Sequence, residues 1–137
     1  MIEDEEAEEI KLFTLSEARS LLPRVRKLME RVIAERRLLM KVHADIERAR
    51  KQADTCGGSR FGQFYLIHIS VFGRAVREVE GLGVQIKDYD IGLIDFPCEY
   101  EGRIVYLCWK VGEGELDYWH EIEAGYAGRR FITDDFE

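Results

Sequence analysis

The sequence predicts an α+β fold: a long antiparallel helical hairpin packed on a small antiparallel β-sheet, with a short C-terminal helix. Two patterns carry this expectation. Apolar residues recur at helical spacing from Val25 to Val79, and after Gly83 the period drops to two, the repeat of a half-buried strand. Glu101-Gly102, lying between two alternating runs, marks a tight turn. The 137 residues, 46% hydrophobic and 11% aromatic, suit one domain able to bury a core. That domain is expected to span residues 12–133, preceded by an acidic, flexible segment at 1–11.

The elements follow in order. Thr14-Leu15-Ser16-Glu17 has capping-box spacing, so a helix is expected to start near Leu15. Pro23 lacks an amide hydrogen and costs about 3 kcal/mol inside a helix, which predicts an end at Leu22 and a second helix with Pro23 in its first turn. Val25, Leu28, Val32, Leu39, Val42, Ile46, Ala49 and Ala53 then form one long apolar stripe, interrupted by Glu35. Residues 23–53 would span roughly 46 Å as a helix, whereas a compact chain of this size is about 37 Å across. Such a helix overhangs a sphere, so the molecule is elongated or a partner covers the overhang. Residues 54–59 read as a loop. A further helix at about 60–80 presents Phe64, Ile67, Val71, Ala75 and Val79, and stops at Gly81.

Strands are expected at Val84–Lys87, Ile91–Phe96 and Arg103–Lys110. One hairpin face holds Ile94, Phe96, Val105, Leu107 and Trp109, suited to packing under the helices; the other holds Asp95, Tyr106, Cys108 and Lys110. A two-residue loop sets Asp95 opposite Cys108, a four-residue loop sets it opposite Tyr106, and an odd loop with a bulge turns it to the apolar face. Leu116 to Ala124 reads as a short helix bearing Trp119, His120 and Glu121. The glycine-rich turn 125–128 delivers Arg129 and Arg130, and residues 134–137 read as a frayed tail.

Charge excludes some functions. The net charge is −7, but residues 1–9 carry −6, residues 10–54 carry +6, residues 55–80 carry +1 and residues 81–137 carry −8. A basic front half and an acidic back half can attract each other within one fold or between protomers; the plainer reading is that the bases solvate a long helix. The overall acidity and a pI near 5.1 argue against nucleic acid as a partner. The acidic start does not resemble a secretory signal. The longest nearly apolar run, Phe64 to Phe72, falls far short of the roughly 20 residues a bilayer requires, so no membrane partner is expected. Cys56, Cys98 and Cys108 are odd in number and show no CxxC spacing, which suits reduced thiols in a cytoplasm.

Several segments resemble one family. Gly83-Val84-Gln85-Ile86-Lys87-Asp88, Gly92-Leu93-Ile94-Asp95-Phe96-Pro97, Leu107-Cys108-Trp109, Gly112-Glu113, Tyr118-Trp119-His120-Glu121 and Gly125-Tyr126-Ala127-Gly128-Arg129 resemble the signature of domain-of-unknown-function family 2203. Phe13-Thr14-Leu15-Ser16-Glu17-Ala18 with Leu21-Leu22-Pro23 is similar to that family's start. The resemblance runs from about residue 12 to residue 131, and implies a small bacterial cytoplasmic protein without an activity to carry over.

The polar residues with most chemical potential sit in the acidic half. Asp95, Glu113 and His120 are the candidates for acid–base catalysis, Lys87 and Arg129 for ligand binding, and Asp88, Asp95, Glu113 and His120 for holding a metal. No HExxH or HxH spacing supports a metal, and no motif names a cofactor. The plainer roles are a buried Asp95 accepting from turn amides or Tyr106, Glu113 capping the helix near Leu116, a hydrogen-bonded His120, a core or interface His68, and an Arg129–carboxylate pair stapling the last turn. Cys108 beside Asp95 makes a poor nucleophile, because negative charge raises a thiol pKa. Two functions follow. The first is a self-associating or protein-binding module using residues 23–80, as a homo-oligomer or with a protein partner. The alternative is a metal- or anion-dependent enzyme acting on small molecules, with Asp88, Asp95, Glu113, His120 and Arg129 in one cleft. Whether the chain is an enzyme stays open at this level.

Overall fold

The computed structural model describes residues 9–52 and 58–136, the backbone alone at 58–61. Residues 1–8 of the acidic start, Ala53 of the expected helical stripe, residues 54–57 of the expected loop, Cys56 included, and Glu137 of the expected tail lie outside the described residues. The fold is α+β, as expected: helices α1 (Leu15–Gln52) and α2 (Gly58–Gly81), then strands β1 (Gln85–Asp88), β2 (Leu93–Tyr100), β3 (Arg103–Lys110), β4 (Tyr118–Glu121) and β5 (Arg130–Phe131). The five strands form one antiparallel meander in chain order.

The capping box forms as read. The Glu17 amide donates to Thr14 Oγ1 and the Thr14 amide to Glu17 Oε1, each at 3.0 Å. The break expected at Pro23 does not occur, because α1 runs through it. Pro23 itself faces solvent, where water can serve the carbonyl it leaves without a partner, while Leu22 and Val25 beside it are buried. Burial of these neighbours offsets the proline's cost of about 3 kcal/mol.

Leu15, Ala18, Leu22, Val25, Met29 and Val32 of α1, with Ala75 and Val79 of α2, pack on the sheet's inner face of Ile94, Phe96, Val105, Leu107, Trp109 and Trp119. This core engages only the sheet-proximal half of the hairpin. Farther out, Leu39 and Val42 are buried, and Glu35 meets His68 at 2.7 Å across the helices.

The expected C-terminal helix is replaced by β4, and the only helical piece after it among the described residues is a 3₁₀ turn, Tyr126–Gly128. Pairing on β3 satisfies the backbone of Tyr118–Glu121, and alternation sends Trp119 to the core and Tyr118 and His120 to the outer face. The tail is not frayed at Phe136. That ring is 3% exposed and stacks on Tyr100 at 4.2 Å between centroids.

Candidate functional site

The outer sheet face, opposite the helices, is organised by the β2–β3 turn. Glu101 (φ 54°) and Gly102 (φ 80°) both take left-handed backbone, the demand of a two-residue type I′ hairpin. The two-residue register follows: Tyr100 pairs with Arg103, and Asp95 stands opposite Cys108. On β4, His120 pairs with Tyr106 and Tyr118 with Cys108. Three adjacent strands thereby bring a carboxylate, a thiol and an imidazole together, with one ligating atom of each within 4.8 Å of the other two.

All three side chains are sealed, with Asp95 2% and His120 3% exposed and Cys108 fully buried. His120 Nδ1 lies 2.7 Å from the Glu121 carbonyl oxygen. A carbonyl can only accept, so Nδ1 carries the hydrogen and Nε2 is aimed at Asp95 Oδ1, 3.2 Å away. Lys87 Nζ approaches the other carboxylate oxygen at 3.8 Å and lies 4.4 Å from the centre of the Tyr106 ring, which in turn tilts over His120 at 5.5 Å. Burial pushes the Asp95 carboxyl above its ordinary range, against the opposing pull of His120, Cys108 and Lys87. Burial, reinforced by the Asp95 charge, pushes the Cys108 thiol up to about 12. An inert thiol results, matching the sequence expectation of a poor nucleophile.

Glu113 and Arg129 form a neighbouring unit. Arg129 donates to both Glu113 oxygens, at 3.1 and 2.6 Å, lies over the Tyr118 ring at 4.0 Å, and brings Nη1 to 3.9 Å from Cys108 Sγ. Glu113 also accepts from the Lys110 amide at 3.0 Å. It closes a β3 turn, since there is no helix near Leu116 for it to cap. Asp88 stays apart: its Oδ1 accepts from the Asp90 and Ile91 amides at 2.8 and 3.1 Å, a turn role that leaves it out of the cluster.

Of the sequence candidates, Asp95, His120 and Lys87 therefore converge. Glu113 and Arg129 pair alongside, and Asp88 does not join. The member the candidate list lacked is Cys108. Its signal was present in the two-residue loop register, which already set it opposite Asp95.

A second surface lies at the far end of the hairpin. From Gly62 to Gly73 no Asp, Glu, Lys or Arg occurs, and Leu66 and Ile67 are 66% and 55% exposed, with Phe64 and Ile69 also in solvent. No helix among the described residues is long and apolar enough to cross a membrane.

The family model described as uncharacterized conserved protein (DUF2203) matches residues 11–132. No curated protein and no solved structure matches the chain.

Proposed function

Taking as premise that the chain belongs to the uncharacterized conserved protein family DUF2203, we propose that it is a self-associating interaction module whose α2 helix packs against α2 of a second copy. The observation that carries this reading is the apolar, uncharged stretch 62–73, exposed on the half of the hairpin beyond the sheet. At 100° per residue, Leu66 sits about 200° around the helix from His68, the residue that meets Glu35 of α1. Leu66 therefore faces away from α1, with Ile67 on its flank, whereas Phe64 packs on His68 at 4.3 Å and Ile69 lines the groove against Leu39 and Met40. A helix apolar all round belongs in an interior.

A second copy suits this surface. Two identical uncharged faces meet about a two-fold axis without repulsion. Fully burying one large apolar side chain contributes about 1.5–3 kcal/mol, so the more than half-exposed Leu66 and Ile67 of each of two copies contribute roughly 5 kcal/mol in total. Association costs about 4–15 kcal/mol, a balance that supports a reversible pair over a permanent one. The odd cysteine count supports a reducing, cytoplasmic setting for it.

Sedimentation velocity across a concentration series tests the reading. The parent is expected to shift from monomer to dimer as concentration rises, and Leu66→Glu/Ile67→Glu to stay monomeric with unchanged circular dichroism. A parent that remains monomeric at the highest soluble concentration, or a double variant that still pairs, overturns it.

A further inference from the structure

We propose that Asp95, Cys108 and His120 form a site for one zinc-class divalent cation, with the fourth coordination position going to a solvent molecule admitted where the exposed Lys87 side chain beside Asp95 turns away. The three side chains offer an oxygen, a sulfur and a nitrogen, a donor set that suits zinc and disfavours magnesium or calcium, which take oxygen alone. Tetrahedral zinc with bonds of about 2.0–2.3 Å keeps its ligands roughly 3.3–3.8 Å apart. The carboxylate and imidazole already stand 3.2 Å apart, and the sulfur lies within 4.8 Å of both, so small side-chain rotations close the shell. The donors sit on three hydrogen-bonded neighbouring strands, which hold them more firmly than loops would.

The surroundings also match a metal centre. His120 donates through Nδ1 to the Glu121 carbonyl, the outer-shell bond that fixes a ligating imidazole and frees its other nitrogen. Arg129, held by Glu113, lies against the sulfur and can stabilise it as thiolate. Lys87 is the group in competition with a cation, since its ammonium faces Asp95 Oδ2. Its side chain is 37% exposed, so it can turn out to water when the cation enters. Binding converts the Cys108 thiol to thiolate and releases that proton to solvent.

The test uses the full chain, stripped with chelator and titrated with cobalt(II), then zinc. Expected are one equivalent of cobalt, a thiolate-to-cobalt charge-transfer band in the near ultraviolet, and loss of that band when zinc displaces cobalt. Cys108→Ser is expected to abolish the band and weaken binding by at least the roughly 10–100-fold that follows loss of an outer-shell partner. Cys56→Ser and Cys98→Ser should keep the band. Lys87→Met, at a partly exposed position, should bind roughly fivefold tighter or more. The Leu66→Glu/Ile67→Glu chain should take up cobalt like its parent, which separates this site from the hairpin reading. Absence of stoichiometric uptake, or a band that survives in folded Cys108→Ser, overturns the proposal. If Cys108→Ser does not fold, unchanged or weaker binding by Lys87→Met overturns it.

Discussion

Asp95 and Cys108 stand directly opposite each other across the β2–β3 ladder, both sealed from solvent, and their pairing is decided at the other end of the hairpin by the Glu101–Gly102 turn. An extra loop residue would break this juxtaposition, because the side-chain period of a strand is two. The outer-face cluster is thus a consequence of turn geometry before it is a matter of any side chain's affinity for another.

The pairing makes the metal-free thiol's behaviour with pH testable. Cys108 is pushed from 9.0 up to about 12, first by burial and then by the Asp95 charge, with Arg129 pulling the other way. A raised folded value means the unfolded thiol ionises first as pH climbs. The stability Cys108 contributes is therefore full below pH 9 and is lost between pH 9 and about 12. Urea midpoints of the metal-free parent should fall more steeply over that window than those of Cys108→Ala. Iodoacetamide should also modify Cys108 far more slowly in the native chain than in urea at pH 9. Equal slopes and equal alkylation rates would contradict the burial argument.

Two arginine pairs on this molecule should differ in strength. The Arg129 and Glu113 side chains are 12% and 19% exposed and meet through two hydrogen bonds, so Glu113→Gln strands a mostly buried guanidinium. The expected loss is about 3 kcal/mol, in the range for breaking a buried pair. Arg36 meets Asp90 through one contact at 2.8 Å, with Asp90 70% exposed, so Asp90→Asn should cost under about 1 kcal/mol. Thermal melts at low and high salt separate the cases: the Asp90 effect should shrink on screening and the Glu113 effect should persist.

These contrasts locate what the sequence could say about this molecule. The hairpin, the three leading strands and the sorting of Ile94, Phe96, Leu107 and Trp109 from Asp95 and Cys108 all follow from local periodicity and one turn, and such signals are written in neighbouring residues. Pro23 was misleading because its local cost is overridden by burial of Leu22 and Val25, a tertiary effect. Tyr118–Glu121 was illegible as a strand because four residues carry little periodicity of their own, and their conformation comes from the open edge of β3. Since His120 enters the cluster only through that pairing, one of its three side chains depends on a contact that no local pattern encodes. Asp88 and Glu113 were over-read for the converse reason: short-range turn amides and Arg129 claim them first.

Phe136 gives the last expectation, and it tests whether chain ends here are structural. Four C-terminal residues rich in acid suggest fraying, yet this ring is 3% exposed, lies flat against Tyr100 and meets Trp119 at 5.7 Å. The Tyr100 ring also approaches Trp119, at 5.3 Å, so the three aromatics pack together over the core near the end of β2. Phe136→Ala removes a buried aromatic and opens a cavity, which costs about 3–5 kcal/mol at a well-packed site. Denaturant unfolding should show that loss with an unchanged slope, and near-ultraviolet circular dichroism should report altered packing of Trp119. A Phe136→Ala chain as stable as its parent would show that the Phe136 ring contributes nothing to stability.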